Sequence, residues 1–147
     1  MLRNVVEADL PIFFEQQLDP ESGRMAAFSP RREWSVFLAH WTKILGNPAS
    51  CNQTIAWNER VAGYIASWPQ DERRLVAYWI GREYWGRGIA TAALTEFLGH
   101  DRARPLHAFV AAHNAGSIRV LEKCGFVRIS GVTPALDSVD EHLYRLG

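Results

Sequence analysis

The chain has 147 residues, with 16 Lys plus Arg balanced by 16 Asp plus Glu, and is 48% hydrophobic with six Trp. That length suits one domain over 1–147, which can bury a core without disulfides or a structural metal, and the charge balance leaves no field to hold nucleic acid or an anionic membrane. Cys51 and Cys124 form no C-x-x-C pair, so no metal site is expected, and without an apolar leader or an apolar run near 20 residues the chain reads as soluble and cytoplasmic.

The predicted elements follow in chain order. Residues 2–6 read as a short strand and 8–18 as a helix with Leu10, Phe13, Phe14 and Leu18 on one side. The clearest helix starts with Ser29 as N-cap and Pro30 in the first helical position. Trp34, Phe37, Leu38, Trp41, Ile44 and Leu45 then recur every three or four residues, until Gly46-Asn47-Pro48 stops it. Residues 52–57 and 61–68 are β-rich and form a hairpin around Asn58-Glu59-Arg60. The polar stretch 69–73 is a turn, and 75–80 a strand without clean alternation, as in a central strand buried on both faces. A glycine-rich turn, a helix over 89–98 and a strand over 106–112 come next. A short helix over 117–124 has Asn114 as N-cap and Gly125 as its C′ residue. Strands over 126–130 and 142–146 complete a mixed α/β sheet with helices on its faces.

The turn carries the chemistry. In Trp85-Gly86-Arg87-Gly88-Ile89-Ala90-Thr91, a strand feeds two glycines and the glycines feed a helix. Glycine lets the backbone adopt positive φ and approach a ligand closely. The helix start offers unpaired N–H groups and partial positive charge, a setting for pyrophosphate. Arg82 and Arg87 are candidate phosphate partners. A dinucleotide fingerprint fails because its third glycine is Thr91, and no Gly-Lys-Ser/Thr run makes a P-loop. Without further information the turn is equally a plain strand-to-helix connection.

Residues 85–90 resemble the coenzyme A pyrophosphate loop of the GNAT acetyltransferases, R/Q-x-x-G-x-G/A. Asn114-Ala115-Gly116-Ser117 through Glu122-Lys123-Cys124-Gly125-Phe126 resembles that family's second hallmark, N-x-x-S-x-x-x-x-E-K-x-G-F. The serine points toward the RimJ/RimL-type branch, which resembles ribosomal-protein N-terminal acetyltransferases. Glu83 stands where the loop motif has Arg or Gln, so the cradle falls to the backbone of residues 87–90. The resemblance implies a GNAT fold with a splayed parallel strand pair, residues 75–80 and 106–112. It implies acetyl-CoA as the donor, a primary amine as the acceptor, either a protein N-terminus or a small-molecule amine, and a homodimer at the family level.

It further implies cofactor contacts from Trp79, Ile80, Arg82, Trp85, Gly86, Arg87, Gly88, Ile89, Ala90, Thr91, Asn114 and Ser117. A backbone N–H near Trp79 or Ile80 would polarise the thioester carbonyl, and the amine would attack directly. The family's usual tyrosine general acid would stand at Leu121, so Ser117 is the substitute and Tyr78 a further proton-handling candidate. Ser117 is equally a helix-start residue bonded to local backbone. Glu83, His107 and His113 are candidate bases, none decisive. A weak base suffices for an α-amine with pKa near 8, but not for a lysine near 10.4. The acceptor pocket is expected around the loop 19–28, with Met25, Phe28 and Trp68. A GNAT-fold acyl-CoA-binding protein without transferase activity is the alternative.

Overall fold

The computed structural model describes residues 1–27, 29–129, 133–134 and 140–147. Among these, the strands are β1 (Leu2–Asn4), β2 (Cys51–Trp57), β3 (Arg60–Gln70), β4 (Arg73–Ile80), β5 (Leu106–Ala111), β6 (Val127–Arg128), β7 (Thr133–Pro134) and β8 (Asp140–Leu146). The helices are α1 (Leu10–Gln17), α2 (Pro20–Ala26), α3 (Trp34–Leu45), α4 (Ile89–His100) and α5 (Ala115–Lys123), with short 3-10 turns at Glu7–Asp9 and Arg82–Tyr84. The sheet order is β1-β2-β3-β4-β5-β8-β6, with β7 also against β8. This is the expected mixed α/β architecture.

The two hairpins close with two residues each. Asn58 and Glu59 have φ of 49° and 63°, Asp71 and Glu72 51° and 62°. Left-handed pairs of this kind match the twist of the flanking strands. The second turn is therefore shorter than the predicted 69–73, and β3 runs on through Pro69 and Gln70.

A register shift between Ile55 and Ala56 of β2 leaves Ala62 of β3 unpaired, as in a β-bulge. The bulge reverses the alternation, so Val61 and Tyr64 share one face while Ala62 and Ile65 share the other. Tyr64 and Val61 join Leu10 and Phe13 of α1 and Phe37 and Trp41 of α3. Ile65 and Val76 join Ile89, Ala93, Leu94 and Phe97 of α4 and Leu121 of α5. Helices thus cover both faces. Trp41 is buried on Phe13 and Tyr64, whereas Trp34 stays partly exposed against Phe14 and Phe37.

Three expectations need correction. The first strand ends at Asn4, because the Asp9 carboxylate accepts from the Val6 N–H, Arg3 and Thr54 and turns the chain. Helix α3 starts at Trp34 and not near Ser29, because the Gln17 amide bonds both the N–H and the carbonyl of Arg31, at 2.9 and 2.8 Å, where a helix would need them. The stretch 19–28 holds a helix, α2, where a loop is expected. Its N-cap Asp19 accepts from the Ser22 N–H at 2.9 Å, and Pro20 takes the first position. Of the strand expected over 126–130, Val127–Arg128 is observed, and Ser130 lies outside the described residues.

Strand β4 pairs with β3 over its whole length but shares a single register pair with the parallel β5, Leu75↔His107. Beyond that pair the two strands part. The splay is the feature that positions the site.

Candidate active site

The open end of the splay leads into a cavity of about 400 Å³. Its walls include Tyr78, Trp79 and Ile80 of β4, Trp85, Gly86 and Gly88 of the turn, and Ile89, Ala90 and Thr91 of α4. Asn114, Gly116 and Ser117 face them across the gap. Gly86 and Gly88 have φ of 75° and 73°, and a Cβ at either would meet nothing within 4 Å. The backbone therefore faces open space in a conformation that L side chains rarely adopt. Gly88 is the N-cap of α4 and no side chain caps the helix. The first-turn N–H groups are left to a ligand. Trp85 folds back so that its Nε1–H donates to the Ile80 carbonyl at 2.9 Å, which fixes the turn on the strand end.

The opposite wall is an ordered hydroxyl pair. The Tyr78 hydroxyl lies 2.7 Å from Ser117 Oγ. The Ser117 N–H donates to Asn114 Oδ1 at 3.2 Å, so Asn114 caps α5 and orients the serine together. Burial pushes the Tyr78 phenol up to about 12, against the lowering effect of its bond with Ser117. The phenol thus stays protonated at neutral pH. Leu121 is 2% exposed, a core residue turned from the cavity.

Other candidates lie elsewhere. Arg82 reaches Asp19 at 3.4 Å, and neither Arg82, Arg87 nor the exposed Glu83 lines the cavity. His107 sits at the closed end of the splay, its pKa lowered by burial and by Arg73 and Arg145. His113 Nε2 is 2.9 Å from the Arg24 carbonyl, which can only accept, so Nε2 carries the proton. Met25 lines the cavity, Trp68 does not, and Phe28 lies outside the described residues. Cys124 donates to the Thr91 carbonyl at 3.8 Å, a helix-to-helix contact.

The sequence reading missed Tyr84, Arg119, Val120 and Lys123 on the walls. Arg119 and Lys123 are four apart on α5, the helical spacing that stacks two cations on one face. Ser22 and Ala26 fall within the stretch 19–28 expected beside the acceptor, and α2 carries them where a loop was read. Among the described residues the cavity wall carries no Asp, Glu or His.

Residues 1–127 match the acetyltransferase (GNAT) domain family. No curated protein matches the chain in sequence. Among solved structures, the chain is similar to spermidine N-acetyltransferase from Vibrio cholerae in complex with CoA and spermine, at 14% identity and a TM-score of 0.88, covering 99% of this chain and 94% of that one. An acetyltransferase of the GNAT family from Bacillus anthracis matches at 16% identity and a TM-score of 0.80, covering 99% and 92%. A putative acetyltransferase matches at 27% identity and a TM-score of 0.74, covering 99% and 81%.

Proposed function

The chain belongs to the GNAT acetyltransferase family, with acetyl-CoA as its donor, and from that premise we propose that it acetylates a primary amine by direct attack, with Ser117 and Tyr78 handling the leaving proton. Acetyl-CoA supplies an activated acetyl thioester. The N–H groups at the start of α4, with Arg119 and Lys123 on the facing helix, hold the phosphates. Asn114 binds the pantetheine arm, and a backbone N–H near Trp79 or Ile80 polarises the carbonyl. As the C–S bond breaks, the Ser117 hydroxyl gives its proton to the departing sulfur and takes up the proton that the attacking amine releases, so that the serine ends neutral. Tyr78, protonated throughout, donates to Ser117 Oγ and keeps that hydroxyl aimed.

The observation that carries this reading is the 2.7 Å contact between Tyr78 and Ser117 on the wall facing the glycine turn. Leu121 occupies the position from which the resembling family takes its tyrosine, and here a phenol reaches the same serine from the sheet. The serine also supports placement near the RimJ/RimL-type branch, which includes ribosomal-protein N-terminal acetyltransferases beside enzymes of other acceptors. A wall that among the described residues has no carboxylate or imidazole suits an α-amine, of which a sizeable fraction is neutral at physiological pH, better than a lysine. A homodimer belongs to the same reading, since Val127 on the edge strand β6 is 57% exposed.

Thermal unfolding with and without acetyl-CoA is the first test. Ligand at about 100 times its dissociation constant adds about 2.7 kcal/mol. Thiol release on peptide amines then separates the transferase from the second reading, an acyl-CoA-binding protein. That alternative is favoured by Leu121 and predicts a thermal shift without turnover.

A further inference from the structure

A second cavity lies behind α2. It is about 660 Å³ and is lined by Asp19, Gly23, Arg24 and Ala27 of the α2 segment, by Arg32 before α3 and by His113, among others. Ser22, Met25 and Ala26 of the same helix line the first cavity. Helix α2 is therefore a partition between two spaces. They adjoin at His113 and Asn114, where the bond from His113 to the Arg24 carbonyl ties the end of α2 to the strand that leads into α5.

The charges on this partition are unequally satisfied. The Asp19 carboxylate accepts from the Ser22 N–H and hydroxyl, at 2.9 and 2.8 Å, and pairs with Arg82. Glu21 pairs with Arg24. Both carboxylates of α2 are thus covered by arginines. Arg32 lines the second cavity with no hydrogen-bond or ion-pair partner among the described residues. The uncompensated charge on this wall is positive. A polycationic acceptor would meet repulsion there, whereas a carboxylate would find a guanidinium free to bind it.

We propose that the second cavity is the acceptor's anion subsite, and that the acceptor is a peptide α-amine followed closely by an acidic residue whose carboxylate pairs with Arg32. This rests on the transferase reading for the amine's place in the first cavity. It joins two separate observations. Among the described residues the first cavity's wall has no carboxylate or imidazole base, which selects an amine of low pKa, and the second cavity's wall has a cation without a partner, which selects an anion.

The test uses the full chain, short peptides that differ only in an acidic, neutral or basic second or third residue, and spermidine. Thiol release gives kcat and KM, and calorimetry on the CoA-loaded protein gives binding without turnover. The expected result is a preference of about ten-fold in kcat/KM for acidic over neutral peptides. Arg32→Glu, an exposed substitution that removes no internal contact, should reverse the order toward basic peptides and leave the KM for acetyl-CoA unchanged. Spermidine turning over faster than the acidic peptide, or Arg32→Glu leaving the peptide order unchanged, overturns the proposal. If no amine is acetylated, the transferase reading fails. Calorimetry still decides the subsite, because acidic-peptide binding that weakens about ten-fold in Arg32→Glu supports it, and binding that is absent or unchanged overturns it.

Discussion

The two ends of the β4–β5 pair differ in every respect that matters to a ligand. At the closed end the strands share Leu75↔His107, and a buried charge network stands beside them. Asp101, the C-cap of α4, accepts from Arg74 Nε at 2.6 Å, from the Ser67 hydroxyl and from the Ala103 N–H at 3.1 Å. Arg74 also donates to the Ala49 carbonyl at 2.8 Å. At the open end no ion pair crosses the gap among the described residues. The wall there combines glycine backbone, the Tyr78–Ser117 hydroxyl pair and aromatic side chains with Arg119 and Lys123, and among the described residues it holds no carboxylate. Helix α4 joins the ends, its N-terminus at the glycine turn and its C-cap in the network. At twelve residues it is about 18 Å long. One end is tied by side chains so that the other is left with unpaired backbone for a cofactor.

Breaking the tied end should have the largest effect. Asp101→Ala leaves Arg74, whose side chain is 21% exposed, with the Ala49 carbonyl and Ser67 but no counter-charge, and should cost about 2–4 kcal/mol in denaturant unfolding. An unchanged midpoint would mean that the carboxylate does not pin α4. At the open end the balance reverses. A Cβ at Gly86 meets no protein atom within 4 Å, so Gly86→Glu should cost chiefly the positive φ, about 1–2 kcal/mol. Its added carboxylate should nevertheless abolish the thermal shift given by acetyl-CoA. A retained shift would remove the glycine turn from the binding site.

The hydroxyl pair should respond less strongly. Ser117→Ala is expected to lower kcat about ten- to hundred-fold with the KM for acetyl-CoA unchanged. Tyr78→Phe should give a similar loss, and the double variant should be no worse than Ser117→Ala alone. Additive losses would show two independent roles in place of one shared proton path.

How much of this was legible in the sequence depends on distance along the chain. The glycine turn and the Asn114-capped helix are local, and each was readable from residues within one turn of the helix it starts. The succession of strands along the chain, β7 excepted, followed from β-rich runs and turn residues, whereas the insertion of β8 between β5 and β6 did not. Helix α2 announced itself by Asp19-Pro20, a cap followed by a first-position proline. Its Glu21-Ser22-Gly23-Arg24 body has no apolar period, and periodicity was the signal sought. The Ser29-Pro30 start was a false cap, overridden by the Gln17 side chain fourteen residues away. The Tyr78–Ser117 contact spans 39 positions between a strand and a helix, and no local pattern encodes it. The motif gave Ser117, and the fold was needed to show what reaches it.

The smallest expected effects are those of pH, and they again separate the two ends. Burial alone would raise the Asp101 carboxyl, but the bonds from Ser67, Arg74 and the Ala103 N–H outweigh it and hold it below its usual 3.8. A carboxylate lowered in the folded state contributes stability above its unfolded pKa, and that stability is lost as pH falls through the folded value. Unfolding free energy should therefore decline below about pH 4, and Asp101→Asn should flatten that decline. The open end should not titrate there. Tyr78 stays neutral up to about 12, so no group of the hydroxyl pair changes charge between about pH 6 and 9. The rise of kcat/KM across that range should track the acceptor, with its midpoint near 8 for an α-amine. Changing the acceptor to an amine of different pKa should move the midpoint with it. A midpoint that stays fixed across acceptors would reveal an enzyme base at the open end, and the contrast between a tied end that titrates through its carboxylate and a hydroxyl pair that does not titrate would no longer hold.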